Sequence, residues 1–155
     1  MASAHALTLR RARMTDIDSI TAHNMAMASE TEDRALDADT VRKGVAAVID
    51  HPERGFYLCA EVDGRVVGQC LVTREWSDWR NGDFWWIQSV YVREEYRGSG
   101  VFTRLFHALE TEARSQEDVV GLRLYVEESN SGAQRTYERL GMLATRYLIF
   151  EREFD

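Results

Sequence analysis

The stretch that decides the fold reads Val90-Tyr91-Val92-Arg93-Glu94-Glu95-Tyr96-Arg97-Gly98-Ser99-Gly100-Val101-Phe102. An apolar strand runs through a short charged turn into a glycine loop, and the loop opens directly into a long amphipathic helix. The first N–H groups of a helix have no partner within the helix, and the helix dipole makes that end partly positive. Because glycines let the main chain approach a ligand closely, the pattern predicts a phosphate-binding loop.

The totals of the chain describe an ordinary globular protein. It has 155 residues, of which 45% are hydrophobic and 29% charged, and we expect a single domain over residues 1–155. The formal net charge of −7 argues against non-specific binding of nucleic acid, which requires a basic surface. The N-terminus lacks a signal-peptide pattern and no apolar run is long enough to span a membrane, so we expect a cytoplasmic protein.

The two cysteines predict neither a disulfide nor a metal site. Counted outward from the Asp63-Gly64 turn, Cys59 faces Gly68, so that Cys70 is only its diagonal neighbour. Two cysteines without clustered histidines also lack the ligands of a zinc site, and we expect no bound metal. Free thiols fit a reducing compartment.

Hydrophobic periodicity and turn residues predict a layered α/β (α+β) domain. The pairs Asp63-Gly64 and Asn81-Gly82 predict tight hairpin turns. The nearly continuous apolar run over 84–92 predicts a strand at the centre of the sheet. The expected order is β-α-α-β-β-β-α-β-α-β. The first helix is capped by Thr15, the second carries apolar residues over 41–49 and ends at Asp50-His51-Pro52, the loop and the long helix together occupy about 97–115, and the last helix spans 130–140. The strands are expected over 7–13, 56–62, 65–73, 84–92, 122–126 and 147–152.

Two common phosphate-binding motifs fit the glycine loop poorly. A P-loop needs a lysine followed by serine or threonine after its last glycine, whereas Gly100 is followed by Val101 and Phe102. A dinucleotide-binding loop needs a small residue where Thr103 stands, and no early βαβ unit precedes it. Neither ATP nor a dinucleotide is therefore the expected ligand.

A second motif follows the next predicted strand, where the chain reads Asn130-Ser131-Gly132-Ala133-Gln134-Arg135-Thr136-Tyr137-Glu138-Arg139-Leu140-Gly141-Met142. With Arg97 and Gly100 of the first loop, it resembles the coenzyme A motifs of the GNAT superfamily of acyl-CoA-dependent N-acyltransferases. The chain departs from the family pattern at Phe102, where a small residue is usual, and at Met142, where an aromatic is usual. The resemblance covers about residues 7–151. It implies a GNAT-like mixed, mainly antiparallel central sheet with helices on both faces and splayed central strands.

The resemblance also implies how acetyl-CoA, the co-substrate, would be held. The pantetheine arm would pair with the edge of strand 84–92 near Val90, Tyr91 and Val92, and a gap beside strand 122–126 would admit the thioester. Asn130 would orient the pantetheine or cap its helix, and Ala133 would belong to the same site. The pyrophosphate would bind main-chain N–H groups of the loop, namely Arg97, Gly98, Ser99, Gly100, Val101 and Phe102. We predict that the Phe102 amide faces the pyrophosphate while its ring turns toward the core.

The implied reaction is direct attack of a primary amine on the thioester in a ternary complex. Tyr137 matches the family's general acid, because a tyrosine hydroxyl has a pKa of about 10 and stays protonated at neutral pH. It would protonate the departing thiolate; a purely structural tyrosine in the core is the alternative. The alternative function is a catalytically silent acyl-CoA-binding regulatory module, which the departure at Phe102 keeps open.

The acceptor side of the site is not specified by either motif. In related proteins one wall of this site lies between the first two helices, which is where we expect Glu30 and Glu32. A base or a water chain must remove the proton of the amine, and each carboxylate is also explained as an ordinary surface group. The candidates for this base are Glu30, Glu32, Glu75 and Asp83, with His23 a weaker one. The candidate substrate-binding residues are Glu30, Gln88 and Trp86.

Four tryptophans cluster around the second hairpin, namely Trp76, Trp79, Trp85 and Trp86. Across the Asn81-Gly82 turn, Trp79 is expected to face Phe84. Strand alternation places Trp86 on one face together with Gln88 and Val90. Core packing, an acceptor pocket that attracts an ammonium group, and a homodimer interface all remain open for this cluster.

Overall fold

The computed structural model describes residues 6–154, and residues 1–5, on which the signal-peptide prediction rests, lie outside the described residues, as does residue 155. Two compact units divide the chain, Met1–Leu124 and Tyr125–Asp155. The single domain therefore stays a prediction. The first unit contains the strands β1 Thr8–Arg11, β2 Phe56–Val62, β3 Arg65–Ser77, β4 Gly82–Val92 and β5 Val119–Arg123, and the helices α1 Ile17–Glu32, α2 Ala38–Asp50 and α3 Val101–Arg114.

The described strands of the first unit form one mixed sheet in the order β1-β2-β3-β4-β5. The first three pairs are antiparallel and β4 runs parallel to β5, which confirms the predicted mixed, mainly antiparallel sheet. The ladder between β4 and β5 ends at Trp86 and Arg123, although β4 continues to Val92. The last six residues of β4 therefore have no strand partner on that side within the described chain.

Helices cover both faces of this sheet, as predicted. The side chain of Gln69 on β3 bonds to His23 of α1, and the neighbouring Gly68 lies against α3, because a Cβ there would meet Val101 at 2.8 Å. Successive strand residues point to opposite faces, so α1 and α3 lie on opposite sides of β3. On the α1 side a buried cluster joins helices and sheet, formed by Ile17, Ile20, Val45, Tyr57, Cys59 and Val66.

A β-bulge in β4 changes which side chains share a face. Leu71 pairs with Gln88 and Gln69 pairs with Tyr91, so β4 uses one more residue than β3 over this stretch. Ser89 lies inside the bulge with a φ of 48°. Because the bulge reverses the alternation, Tyr91 lies on the face of Gln88. The prediction that Val90 shares a face of the sheet with Trp86 and Gln88 is therefore wrong.

The hairpins differ from the prediction in register. Cys59 pairs with Gln69 rather than Gly68, because a second irregularity lies between Ala60 and Glu61. Both cysteines are free and buried. In the β3–β4 hairpin, Phe84 pairs with Glu75, and Trp79 lies in a longer turn, 84% exposed. The expected contact between Trp79 and Phe84 is wrong, because β3 continues to Ser77 and β4 begins at Gly82, so that the turn covers residues 78–81.

The second unit contains α4, Ser131–Arg139, which ends before Gly141 at a φ of 88°. The predicted strand over 147–152 is wrong, since these residues form neither helix nor strand. Their apolar side chains favour a strand, but a strand exists only where a neighbour supplies the ladder of hydrogen bonds. Leu148 and Phe150 in this segment are 80% and 92% exposed.

Candidate functional site

The glycine loop connects β4 to α3 with a backbone that only glycine adopts readily. A short 3₁₀ turn over Glu94–Tyr96 precedes it, and Gly98 and Gly100 have φ values of 74° and 83°. An added Cβ at either glycine would meet no atom within 4 Å, so the loop surface is open. No side chain caps the N-terminus of α3, because its N-cap is Gly100. The first turn of α3 thus presents main-chain donors at an open, partly positive helix end.

The side chain of Arg97, at the start of this loop, bonds to two groups of the first unit. Its Nε donates to the carbonyl oxygen of Val92 at 2.8 Å, and its guanidinium pairs with Glu30 at 2.7 Å. Tyr91 lies beside this pair, since its hydroxyl donates to Glu30 at 3.4 Å and its ring centroid is 5.4 Å from the guanidinium carbon of Arg97. The loop is therefore tied to the last strand residues and to the end of α1.

The structure places Phe102 in the first turn of α3, half-buried, with its ring 6.2 Å from the ring of Phe106. Phe106 is itself 2% exposed and belongs to the core. The ring direction agrees with the one expected from the sequence. The role of the Phe102 amide toward a pyrophosphate stays a prediction.

Three acceptor-site candidates lie on one face of the sheet, the α1 side. Trp86 and Gln88 are half-buried there on β4, and Gln88 donates to the hydroxyl of Thr73 at 2.5 Å. Glu30 lies in the last turn of α1 rather than in a connecting segment, because α1 continues to Glu32 before it ends at Asp33 in a left-handed conformation. The bulge brings Tyr91 into the same group.

A buried polar network lies on this same face. The amide nitrogen of Gln69 donates to Asn24 Oδ1 at 2.9 Å and to the carbonyl oxygen of Ser89 at 3.4 Å. The Gln69 oxygen lies 2.9 Å from Nδ1 of His23, and Asn24 Nδ2 donates to the hydroxyl of Tyr57 at 3.4 Å. Gln69 is fully buried. Leaving such a group without partners costs about 1–3 kcal/mol, so the network ties α1 firmly to β3 and to the bulge.

This network is the part of the site that sequence reasoning missed. Gln69 was the available signal, because it interrupts the apolar stretch from Val66 to Val72. A polar side chain in the middle of a buried strand needs partners, and the sequence does not say which ones. Only the pairing register and the position of α1 bring Asn24 and His23 to it.

The remaining candidates of the sequence analysis lie elsewhere in the first unit. Glu75 forms an ion pair with Arg123 at 2.5 Å, and Asp83 lies at the start of β4, where it pairs with Val119 of β5. The tryptophans do not form one cluster: Trp85 is 1% exposed and belongs to the core, while Trp76 and Trp79 are exposed. Trp86 alone combines half-burial with the α1 side of the sheet.

In the second unit, the three residues of the second motif occupy one short helix and its cap. Asn130 caps α4, since its Oδ1 accepts from the N–H of Ala133 at 3.1 Å. Tyr137 lies two turns further on, half-buried, and burial raises the pKa of its hydroxyl. The main-chain carbonyl of Tyr137 accepts from Met142 at 3.0 Å. Capping by Asn130 is thus observed, while its part in cofactor binding stays a prediction.

The described residues form neither a metal-binding cluster nor a helix able to span a membrane. Across residues 6–154, no group of three or more His, Cys, Asp and Glu side chains is arranged to hold a metal ion. None of the described helices has the length and apolar character needed to cross a membrane.

Comparison with known proteins identifies the relatives of this chain. The model of the acetyltransferase (GNAT) family matches residues 17–142. A solved structure described as a possible acetyltransferase from Clostridium difficile 630 is 45% identical, with a TM-score of 0.90 and coverage of 96% of this chain and 98% of that one. An uncharacterized N-acetyltransferase of Methanocaldococcus jannaschii is 41% identical over 86 residues, or 56% of this chain and 51% of that protein. The chain thus spans about half the length of this curated relative.

A more distant match shares the fold alone. It is a predicted acetyltransferase from Clostridium acetobutylicum, solved with acetyl-CoA, which is 15% identical with a TM-score of 0.78 over 95% of this chain and 96% of that one. The sheet, the family-model match and the 45% identical structure together place the chain in a class of acyltransferases. The chain belongs to the acetyltransferase (GNAT) family.

Proposed function

We propose that the protein transfers the acetyl group of acetyl-CoA to a primary amine by direct attack in a ternary complex. The observation that carries this proposal is the glycine loop, in which Gly98 and Gly100 adopt left-handed conformations and deliver the uncapped N-terminus of α3. A helix N-terminus of this kind suits a pyrophosphate. In the distant relative from Clostridium acetobutylicum the bound molecule is acetyl-CoA.

On the donor side, the proposal assigns the pyrophosphate to the N–H groups from Arg97 to Phe102. The pantetheine arm would pair with the edge of β4 near Val90 and Val92, which has no strand partner in the described chain beyond Trp86. Polar main-chain groups at an open strand edge are ready to bond an amide-containing arm. We also propose Asn130 and Ala133 as cofactor-binding residues, and no metal takes part in the proposed reaction.

Tyr137 is the proposed general acid. When the tetrahedral intermediate collapses, the C–S bond breaks and the thiolate takes the phenolic proton, so that CoA leaves as a thiol. Burial raises the pKa of Tyr137, which keeps the proton on the hydroxyl at neutral pH. Solvent then returns a proton to the phenolate.

The acceptor is proposed to be a small molecule that carries an ammonium group at neutral pH. The chain has a net charge of −7, which does not suit nucleic acid. On the α1 side of the sheet, Glu30 offers an exposed carboxylate and Trp86 an aromatic face, both of which attract a cation. The two free, buried cysteines fit action in the reducing cytoplasm.

The test is release of free thiol when the protein is mixed with acetyl-CoA and a panel of primary amines. The panel should contain polyamines, aminoglycosides, amino acids and peptides with a free N-terminus. We expect thiol release that depends on one class of amine, together with a product heavier by one acetyl group in mass spectrometry. Tight CoA binding without turnover on any amine would instead support the catalytically silent acyl-CoA-binding module.

A further inference from the structure

The imidazole of His23 is held in one tautomer by the buried network. The carbonyl oxygen of Ser89 can only accept a hydrogen bond, so the Gln69 atom that faces it is the amide nitrogen. The other Gln69 atom, 2.9 Å from His23 Nδ1, is therefore the oxygen, which only accepts. Nδ1 consequently carries the proton, and Nε2 keeps a lone pair.

That lone pair has no hydrogen-bonding partner within the described part of the chain. Among the described residues, the enclosed side-chain polar atoms without a hydrogen-bonding partner are Thr21 Oγ1 and Trp85 Nε1. Nε2 of His23 makes no hydrogen bond and is not one of them, although the His23 side chain is almost fully buried. This nitrogen is therefore not enclosed, and solvent reaches it.

The His23 ring lies next to the residues of β4 that the proposed function assigns to the pantetheine arm. The His23 ring stacks on the ring of Tyr91, with centroids 4.9 Å apart and an angle of 26° between the planes. Tyr91 lies between Val90 and Val92, the residues assigned to the pantetheine arm, and the bulge turns it to the α1 side. Glu30 contacts Tyr91 from the end of α1.

We propose that His23 Nε2 accepts the proton of the attacking amine. This inference rests on the proposed acetyl transfer and names the base for it. The bound ammonium group first loses one proton to water. The neutral nitrogen then forms the new C–N bond, the carbonyl electrons move to the oxygen, and Nε2 takes a second proton from this nitrogen. Collapse then breaks the C–S bond, the thiolate is protonated as described above, and the imidazolium loses its proton to water.

The surroundings of His23 keep the ring neutral and ready to accept. Burial lowers the pKa of His23, and the charge of Arg93 acts in the same direction, while the bond to Gln69 and the charge of Glu95 oppose this. Two of the carboxylate candidates are paired with arginines, since Glu30 pairs with Arg97 and Glu75 with Arg123. Tyr91, whose ring stacks on that of His23, is a titratable group in direct contact with it.

The test uses the substitution His23→Asn in the full chain, assayed with acetyl-CoA and the amine that the panel identifies. Asparagine keeps a donor at the position of Nδ1 for Gln69 but has no counterpart of Nε2. We expect kcat to fall about 10²-fold or more, with the KM for acetyl-CoA within about twofold of wild type. In the wild type, protonation of His23 should lower kcat at low pH, and the variant should not show this decrease. Added imidazole should restore part of the rate of the variant.

The control is His107→Asn, which removes an exposed histidine on α3 and should leave kcat and its pH dependence unchanged. A His23→Asn enzyme with wild-type kcat and pH profile, or one that loses rate without rescue by imidazole, would overturn the assignment while leaving acetyl transfer intact. Wild-type protein that acetylates no amine would contradict both proposals. Nitrogen NMR of the wild type gives a separate readout: a proton on Nε2 of His23 instead of Nδ1 would overturn the base assignment alone.

Discussion

The guanidinium of Arg97 donates to the carboxylate of Glu30 at 2.7 Å, and this ion pair joins the end of α1 to the start of the glycine loop. Both side chains are 44% exposed, so the pair is worth at most about 1 kcal/mol in stability. The ion pair matters instead for the proposed binding of CoA. The guanidinium that the loop would offer to a pyrophosphate is shared with Glu30, a carboxylate proposed for the acceptor site.

Glu30→Gln should therefore strengthen the binding of CoA. Without the carboxylate, Arg97 no longer divides its charge between Glu30 and the ligand, and the dissociation constant should fall about two- to fivefold, the equivalent of 1 kcal/mol or less. Isothermal titration calorimetry with CoA measures this change. Glu32→Gln is the control, because Glu32 lies two residues further along α1. This variant should bind CoA as the wild type does. Weaker binding by Glu30→Gln would contradict the competition.

Gly100→Ala tests the loop backbone. A φ of 83° costs a non-glycine residue about 1–2 kcal/mol, and no neighbouring atom adds a clash. We expect this loss in the free energy of unfolding in urea and a larger loss in CoA affinity, since the loop would relax away from the binding conformation. Gly132→Ala is the matched control, because Gly132 lies in α4 with open space around it and alanine should stabilise that helix. Unchanged CoA affinity in Gly100→Ala would count against the loop as the pyrophosphate site.

Tyr137→Phe tests the general acid. The substitution removes the phenolic proton but keeps the ring, so kcat should fall about 10²–10⁴-fold at neutral pH while the dissociation constant of CoA stays within about twofold. Stopped-flow detection of free thiol gives kcat, and calorimetry gives the affinity. Tyr147→Phe, at an exposed tyrosine of the same unit, should have no effect. A wild-type kcat in Tyr137→Phe would assign the tyrosine to packing alone.

Asp16→Asn tests a partly buried ion pair in the first unit. Arg10 donates to both carboxylate oxygens of Asp16, at 2.7 and 2.9 Å, and this contact lowers the pKa of Asp16. A carboxyl whose pKa is lower in the folded state contributes stability above its unfolded pKa and loses it as the pH falls through the folded value. Arg10 keeps its ion pair with Glu61 in the variant, so the substitution should cost about 1–3 kcal/mol at pH 7 and much less in strong acid.

Thermal or urea unfolding as a function of pH measures the effect of Asp16→Asn. Asp18→Asn is its control, because Asp18 is exposed and its pair with Arg42 lies at the surface. An equal loss of stability at pH 7 and at strongly acidic pH in Asp16→Asn would show that packing, and not charge, explains the effect.

The cysteines should resist thiol reagents in the native protein. Burial raises the pKa of Cys59 to about 12 and that of Cys70 to about 12, so almost no thiolate is present at pH 8. We expect Ellman's reagent to report less than one reactive thiol per native chain and two after unfolding in guanidinium. Rapid reaction of either thiol in the native state would contradict the packing of β2 against β3.

Much of the fold could be predicted because its signals are local. The strand Phe56–Val62 was predicted to the residue, since a strong turn follows it, and the glycine loop was recognised because Gly98 and Gly100 stand between a strand and a helix pattern. The final strand over 147–152 could not be decided in this way. Its apolar residues are compatible with a strand, but pairing depends on a partner that is distant in sequence.

By itself, the sequence determined the order of the main elements, the glycine loop, the cap at Asn130 and the family, because each depends on residues close together in the chain. Tertiary structure alone decided which side chains share the α1 face. The bulge at Ser89 reverses the alternation of β4 and brings Tyr91 to that face, and the pairing register aligns Gln69 with Tyr91. His23 gains its fixed tautomer only from these long-range contacts. A strand's register is set by its neighbours, so no local pattern could have indicated it.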